Sequence, residues 1–206
     1  MKLLYSWLGA SLLVCGVLSA RAQSSTAPEG TAQQLVETLG PDRLLTAGTS
    51  TDQRNAASLL QNGAGNAAAL TQTSQGVQAN QAYIMQVGAA NMLELNQIGS
   101  GNRANFSQNG NANQSTLSQT GTANMLDGSL TGNQNTVNLR QQGTGNELTS
   151  EVAASNRQYN LSQIGNNNSI TQRETTPTEQ RGYSIEQRGN NMRITVEQGR
   201  GLPTIP

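Results

Sequence analysis

The chain of 206 residues contains no histidine, only one cysteine, and few aromatic side chains, which make up 3% of its residues. Histidine and cysteine are the side chains that most often supply general acid–base catalysis and thiolate nucleophiles. The carboxylates, such as Asp52, Asp127 and Glu174, are too scattered to suggest a metal cage. The 12 basic and 12 acidic residues cancel, which leaves no basic excess to neutralise nucleic-acid phosphates. These deficits predict a protein that is not an enzyme, uses no metal or cofactor and binds no nucleic acid.

Hydrophobic residues are concentrated near the N-terminus, in the apolar stretch from Leu3 to Leu18. Ser19-Ala20-Arg21-Ala22 follows and offers an Ala-x-Ala cleavage site before Gln23, so residues 1–22 are predicted to be a secretory signal peptide. The apolar run is short for a membrane span, which favours cleavage over anchoring. Since Cys15 lies inside this segment, the mature chain is expected to be secreted, without a thiol, a disulfide or a membrane span.

Residues 23–52 are predicted to be a flexible N-terminal leader. Within it, Gln33 to Leu39 is expected to form a short helix that Gly40-Pro41 ends. Three roles remain open for the leader: a recognition segment for an export channel, a plain linker, or a cap on the end of the next domain.

The motif Gln-x-Gly-x-x-Asn recurs through most of the remaining chain, as at Gln61 to Asn66 and at Gln163 to Asn168. From Gln86 to Gln119 the glutamines are 11 residues apart, and from Gln119 to Gln163 they are 22 apart. Low-complexity disorder has no reason to hold such a register. Residues 53–201 are therefore predicted to be one repeat domain, followed by a C-terminal tail at residues 202–206.

Every second residue between the motifs tends to be apolar, as in Leu93 and Leu95 between Asn91 and Gln97. Such alternation is typical of a half-buried β-strand, and the glycine two residues after each glutamine permits a tight turn. Two arcs of 11 residues make one coil of 22, and stacked coils bury together the faces that a single coil cannot. The sequence therefore predicts an all-β fold, a β-solenoid with about thirteen strands between Ala57 and Gln198.

Inward-facing glutamine and asparagine are predicted to form ladders of hydrogen-bonded amides along the stack. An unpaired buried amide costs about 1–3 kcal/mol, whereas amides stacked at the ~4.8 Å strand spacing of a cross-β structure satisfy one another. The predicted ladder residues are Gln61, Gln86, Gln97, Gln108, Gln119, Gln141, Gln163, Gln187, Gln198, Asn66, Asn91, Asn102, Asn113, Asn124, Asn135, Asn146 and Asn168. The predicted turn glycines are Gly63, Gly88, Gly99, Gly110, Gly121, Gly132, Gly143, Gly165 and Gly189.

The repeat resembles that of the curlin family, the subunits of curli-type amyloid fibres, which carry Gln-x-Gly-x-x-Asn-x-Ala and a second glutamine eleven residues on. Asn102 to Gln108 matches the latter half of this pattern, as does Asn66 to Gln72, and the resemblance covers about residues 55–200. It implies a β-solenoid that polymerises end to end outside the cell, in a cell-surface fibre that supports adhesion and a biofilm matrix. The partners it implies are further copies of the chain, other curlin-type subunits, and an outer-membrane export and nucleation machinery.

The repeat departs from its pattern in several places. The spacing slips at Thr73-Ser74-Gln75, and the motif is lost around Asp127-Gly128, Ser155 and Arg157. Pro177 removes a backbone donor and predicts a loop that bulges from one coil between Glu174 and Glu179.

Arginine becomes frequent towards the C-terminal end of the repeat. Two interpretations stay open: an end that contacts the cell surface or an anchoring partner, or charges that slow self-association. The arginines concerned are Arg140, Arg157, Arg173, Arg181, Arg188, Arg193 and Arg200.

These observations predict a structural subunit of an extracellular curli-like amyloid fibre, which assembles by templating strands on the open edges of its end coils. One alternative is a minor subunit that nucleates or anchors the same fibre. The other is a monomeric solenoid whose regular outer face binds a polysaccharide, ice or another surface. A stable monomer in solution would favour this last alternative.

Overall fold

The computed structural model describes residues 13–14, 18–21, 55–175 and 182–199. All regular secondary structure in these ranges is β, and no helix among them is long and apolar enough to cross a membrane. The predicted leader, the predicted loop around Pro177 and the C-terminal tail lie outside the described residues. The strands are β1 Leu13–Val14, β2 Leu18–Arg21, β3 Ala56–Asn62, β4 Ala67–Ser74, β5 Gln81–Val87, β6 Met92–Ser100, β7 Arg103–Asn109, β8 Gln114–Thr122, β9 Met125–Thr131, β10 Thr136–Thr144, β11 Glu147–Ala153, β12 Gln158–Asn166, β13 Ser169–Glu174, β14 Ser184–Asn190 and β15 Arg193–Gln198.

Strands β3 to β15 wind into a solenoid with two parallel sheets. The even sheet contains β4, β6, β8, β10, β12 and β14, and the odd sheet contains the seven strands β3, β5, β7, β9, β11, β13 and β15. Each strand pairs in register with the strand two further along the chain, so that Leu117 lies beside Leu139 and Leu139 beside Leu161. The all-β solenoid with 22-residue coils that the sequence predicts is confirmed.

The two short N-terminal strands lie at the edge of the even sheet. β2 pairs antiparallel with β4, with Leu18 opposite Leu70, and β1 pairs antiparallel with the end of the same strand. Residues of the predicted signal peptide therefore occupy the outer edge of β4.

The core is a narrow space between the two sheets, filled by every second side chain of each strand. In β6, Leu93, Leu95 and Gln97 are fully buried, while Glu94 between them points outward and is exposed. Because the strand period is two, this alternation places one face of each sheet in the core and the other in water. Successive strands repeat the pattern, so the core consists of columns of side chains that run along the solenoid axis.

The chain reverses at two corners per coil, and glycines allow the coils to stack closely there. At Gly143, φ is +124°, and an added Cβ would lie 1.9 Å from the carbonyl oxygen of Gly165 in the next coil. A side chain is therefore excluded both by the backbone conformation and by the neighbouring backbone. Two residues further on, Gly145 has a φ of +64°, a conformation that Ala123 adopts at the equivalent position of the preceding coil.

The irregularities of the repeat are absorbed without loss of a strand. Between β4 and β5 the spacing of equivalent residues rises to 25, because a loop is inserted at residues 75–79. Asp127 and Gly128 lie within β9, which pairs with β7 and β11 like any other strand. Arg157 immediately precedes β12, and its backbone N–H donates to Asn135 Oδ1. The solenoid tolerates these substitutions because backbone pairing, not the motif residues alone, holds neighbouring coils together.

Candidate functional site: amide ladders and open sheet edges

The even sheet contains an unbroken ladder of six glutamines. The side-chain Nε2 of each donates to Oε1 of the next, at distances of 2.6 to 3.1 Å. The same Nε2 also reaches back to a backbone carbonyl of the preceding odd strand, as Gln119 does to the oxygen of Arg103 at 2.9 Å. Each amide thus bonds in two directions, which removes most of the cost of burying it. The ladder consists of Gln72, Gln97, Gln119, Gln141, Gln163 and Gln187.

The odd sheet has a shorter glutamine ladder. Gln61 donates to Gln86, and Gln86 donates to Gln108. Gln108 then turns its amide to the hydroxyl of Ser115 at 2.9 Å, because its neighbour in the next coil is Leu130.

Beyond this point the glutamine column of the odd sheet carries other residue types. Leu130 is followed by Val152 and then by Glu174, which lies beside Gln198 at the end of the sheet. The column therefore has a continuous amide ladder only in its first three strands.

Two further ladders of asparagine run along the corners. In each, Oδ1 accepts from the backbone N–H of the asparagine in the next coil and, in most coils, from its Nδ2 as well. Asn113 Nδ2 in turn donates to the carbonyl oxygen of Gly132 in the next coil at 2.7 Å. The asparagines therefore tie each turn to the turn above it. One ladder contains Asn66, Asn91, Asn113 and Asn135, and the other contains Asn55, Asn80, Asn102, Asn124, Asn146 and Asn168.

Both asparagine ladders end on a different residue type. Arg157 follows Asn135, and Met192 follows Asn168; each still donates its backbone N–H to the last asparagine. Neither side chain supplies an amide that would continue the ladder to a further coil.

Several ladder residues escape a search for the motif at its regular spacing. Gln72 and Asn80 flank the inserted loop, so Gln72 lies 25 residues before Gln97 and Asn80 lies 25 residues after Asn55. Asn55 precedes the first strand and donates its side-chain amide to the carbonyl of Gln72. Gln172 lies two positions before the glutamine column, where its Oε1 accepts from Ser150 at 2.7 Å. An alignment of strand positions, rather than of motif letters, would have found all four.

The last coils contain a buried polar cluster beside the glutamine ladder of the even sheet. The hydroxyl of Tyr159 donates to Glu174 Oε2 at 2.6 Å, and the ring of Tyr183 packs edge-on against Tyr159 with 5.3 Å between ring centres. Both Tyr159 and Glu174 are buried. Burial raises the pKa of Tyr159 far above its usual value, with the neighbouring Glu174 adding to the effect. Burial likewise raises the pKa of Tyr183, so both hydroxyls stay protonated at neutral pH.

The arginines of this region are partly neutralised on the outer surface. Arg173 pairs with Glu151 of the preceding coil at 3.2 Å, and Arg188 pairs with Glu186 of its own strand. These side chains are exposed, so each pair contributes little to stability. Among the described residues, no three histidine, cysteine, aspartate or glutamate side chains lie close enough to hold a metal ion.

Among the described strands, three edges at the ends of the solenoid are unpaired, and the fourth, on β4, is occupied by β1 and β2. β3 and β15 are the edge strands of the odd sheet, and β14 is the edge strand of the even sheet. Inward side chains that are fully buried in the middle coils are only half-buried here, as at Leu59 and Ile194. The ends thus combine unpaired backbone edges with partly exposed apolar columns, which is the combination that recruits further strands.

Comparison with known proteins found no matching family model, no matching curated protein and no matching solved structure.

Proposed function

We propose that this protein is a structural subunit of an extracellular curli-like amyloid fibre. The observation that carries the proposal is that the backbone pairing of both sheets and the glutamine ladder of the even sheet run through the whole solenoid. They end on edge strands once the predicted signal peptide, which contains β1 and β2, has left β4. A further copy of the chain can continue both. The repeat motif adds support through its resemblance to the curlin pattern, and the predicted signal peptide supports export.

The ladders give the solenoid a direction that suits head-to-tail assembly. Each ladder glutamine of the even sheet before the last donates to the glutamine of the coil that follows it, which leaves Gln187 as the last acceptor at the open end. Two copies that meet head to tail preserve this polarity and keep their strands parallel. A repeated head-to-tail contact does not close on itself and therefore produces a filament.

The experiment is an assembly time course of the chain from Gln23 onward, which contains all of β3 to β15. We expect thioflavin fluorescence to rise after a lag and electron microscopy to show fibres at the end point. A solution of persistent monomers would refute the fibre proposal and leave a surface-binding solenoid as the better account.

The contribution of the ladders is tested by a variant with Gln97, Gln108 and Asn113 replaced by alanine. All three side chains are buried and bonded to amides of adjacent coils, so we expect slower assembly. The matched control replaces the outward-facing Ser107, Ser118 and Ser162 by alanine and should assemble like the parent chain. Equal kinetics in all three chains would show that the amide ladders do not drive assembly.

A nucleating or anchoring role in the same fibre is the second candidate, because the C-terminal coils replace the ladder of the odd sheet with the Tyr159–Glu174 cluster. A nucleator shortens the lag of another subunit at a small molar fraction without being consumed along the fibre. Seeding a curlin-type subunit with traces of this chain, and locating this chain by antibody labelling, separates an end-bound nucleator from a fibre-building subunit.

A further inference from the structure

The number of strands in the solenoid is odd. The odd sheet has seven strands and the even sheet six, so the described solenoid contains thirteen arcs, that is, six and a half coils. It begins on the odd side with β3 and ends on the odd side with β15. This parity constrains how a second copy can continue the stack, and the argument rests on the head-to-tail assembly proposed above.

The even and odd sides of the solenoid have the same backbone geometry relative to the preceding strand. On the even side, Gln97 Nε2 donates to the carbonyl oxygen of Gln81, 16 residues earlier in the preceding strand. On the odd side, Gln108 Nε2 donates to the carbonyl oxygen of Met92, again 16 residues earlier. Each arc is therefore related to the next by a rotation of about half a turn around the solenoid axis and a shift along that axis of half the spacing between coils. This is the operation of a twofold screw axis.

The corners obey the same relation. Asn113 Nδ2 donates to the carbonyl of Gly132, and Asn124 Nδ2 donates to the carbonyl of Gly143, each 19 residues later and at opposite corners. The turn glycines have similar conformations at both corners, with φ of +128° at Gly110 and +118° at Gly121. An odd strand can thus be continued by an even strand without a change in local geometry.

Stacking by simple translation would leave a gap. If β3 of a second copy is placed on β15, the odd sheet is continuous, but the next even strand, β4, lies two strand spacings from β14. This distance is about 9.6 Å, twice the spacing that β-sheet hydrogen bonds bridge. The gap would leave two sheet edges unpaired and would open the columns of Ile185 and Leu70 to water at every junction.

We infer that successive subunits of the fibre are related by a half-turn about its axis, so that the even sheet of one copy continues as the odd sheet of the next. In this arrangement β3 of the second copy lies on β14 of the first, and β4 lies on β15. The thirteenth arc of one copy is then followed directly by the first arc of the next copy, and no strand position is left empty.

The residues at the two ends fit this arrangement. On one side, Gln61 and Gly63 of the second copy meet Gln187 and Gly189 of the first, and apolar Leu59 meets Ile185. On the other side, Gln72 meets Gln198, Leu70 meets Val196 and Ala68 meets Ile194. Both glutamine columns and both apolar columns therefore pass through the junction.

A half-turn, but not a translation, places a neighbouring turn against Gly189, the last corner glycine. Within the solenoid, a backbone carbonyl oxygen of the next turn lies where the Cβ of the corner glycine would be. The carbonyl oxygen of Gly189 lies in this way against Gly165. After a half-turn, Gly189 faces Gly63, which continues this column. Under translation it would face Ser74, which occupies the equivalent position of the first even strand, across the gap.

The test requires one label per subunit at a known side of the fibre. The chain from Gln23 onward has no cysteine, and Asn109 lies on the exposed outer face of β7, so Asn109→Cys provides a single site for gold labelling. Each subunit advances the fibre by about 31 Å, since thirteen arcs each advance half of the ~4.8 Å coil spacing. We expect labels to alternate between opposite sides of the fibre, about 62 Å apart along each side.

Variants in which the number of strands is even instead of odd give a decisive comparison. Deleting residues 114–124, one arc of 11 residues, leaves twelve strands, and duplicating the same arc makes fourteen. In either case the label should appear on one side only. Deleting residues 114–135 removes two arcs and should restore alternation, because eleven is again odd.

The outcomes separate this inference from the proposed function. Fibres of the parent chain with labels on one side would overturn the half-turn and would show that another segment, such as residues 23–54, supplies an additional strand. The same pattern in chains of odd and even strand number would also overturn it. Failure of the parent chain to form fibres would instead refute the fibre function itself.

Discussion

The even and odd sheets share one backbone but differ in what fills their core. In the even sheet, the glutamine column and the leucine column next to it are uniform from β4 to β12. In the odd sheet, the corresponding columns change character between β7 and β9. The difference shows that backbone stacking tolerates two kinds of core, a repeated amide ladder and a packed apolar interior.

The change in the odd sheet is an exchange of places rather than a loss of order. Up to β7, the central column holds large apolar residues, ending at Phe106, and the glutamine column is polar. In β9 and β11, the central column holds Gly128 and Ser150, whereas the former glutamine column holds Leu130 and Val152. In β13 both columns are polar, with Gln172 in the central column and Glu174 in the former glutamine column. Polar and apolar groups have thus exchanged columns, and the hydroxyl of Ser150 donates a hydrogen bond to Gln172 Oε1 in the new polar column. The Nε2 of Gln172 has no hydrogen-bond partner among the described residues.

The volume of the core changes in step with the polarity. The third inward column of the odd sheet is alanine up to Ala104 and becomes Leu126, Leu148 and Ile170 afterwards. Large side chains thus appear there where the central column becomes small. This compensation is expected because protein interiors are close-packed and penalise both voids and overlaps.

Substitution of a corner glycine is predicted to destabilise the uniform even sheet strongly. Gly143→Ala places a Cβ against the carbonyl of Gly165, which can move only if two coils separate, so we expect a loss of about 3 kcal/mol in the free energy of unfolding. Gly145→Ala in the same turn is the control and should cost about 1 kcal/mol, because alanine already occurs at that turn position in other coils. Chemical denaturation measures both. Equal losses would show that contact between coils does not determine the glycine requirement.

The two glutamine ladders should respond differently to interruption. Gln119→Ala removes both the acceptor of Gln97 and the donor to Gln141, and we expect a loss of about 3 kcal/mol. Gln108→Ala removes only one amide neighbour, Gln86, because the ladder ends there, and should cost about 1 kcal/mol less. Denaturation of both variants beside outward-facing Thr116→Ala tests this order. A larger loss at position 108 would contradict it.

The exchange of columns in the odd sheet can be tested at the point where Phe106 lies against Gly128. A Cβ at position 128 would lie 2.4 Å from the ring of Phe106, so Gly128→Ala should destabilise the fold by about 2 kcal/mol. Phe106→Leu should recover part of this loss, with a coupling of about 1 kcal/mol between the two sites in a double-mutant cycle. Additive effects of the two substitutions would mean that the ring and position 128 are not in contact.

The tyrosine cluster predicts that the C-terminal coils are the most sensitive to alkali. The folded-state pKa of Tyr159 and of Tyr183 is raised, so their contribution to stability is complete below about pH 10, the ordinary pKa of tyrosine, and is lost as the pH rises above it. We expect a loss of about 1.4 kcal/mol per pH unit from Tyr159 in this range, and a further loss from the partly buried Tyr183. Thermal unfolding between pH 8 and pH 11 measures it.

A double variant sharpens the alkaline prediction. Tyr159→Phe together with Tyr183→Phe removes both titrating groups and should flatten the decline above pH 10, although it also removes the partner of Glu174 and lowers stability at pH 8. An unchanged alkaline slope in this variant would assign the pH sensitivity to other groups.

Much of the fold follows from the order of residues alone. The period-two alternation around Leu93 and Leu95 and the 22-residue spacing of Gln119, Gln141 and Gln163 determine strands, turns and coils, because only stacked coils can bury those faces together. Local sequence was less informative at Asp127 and Arg157, where the motif is absent but the strand is not. The pairing of neighbouring coils fixes the backbone there, and that pairing is not visible in the residues themselves.

The sequence by itself therefore determined the repeat, the strand positions and the members of the ladders that keep their regular spacing. Only the tertiary structure decided which columns face one another: Gln108 bonds to Ser115 of the opposite sheet, and Tyr159 bonds to Glu174. It also decided that the described part of the solenoid begins and ends on the same side. The physical reason is that alternation states only whether a side chain points inward, whereas its partners depend on how two sheets and thirteen arcs are stacked in space.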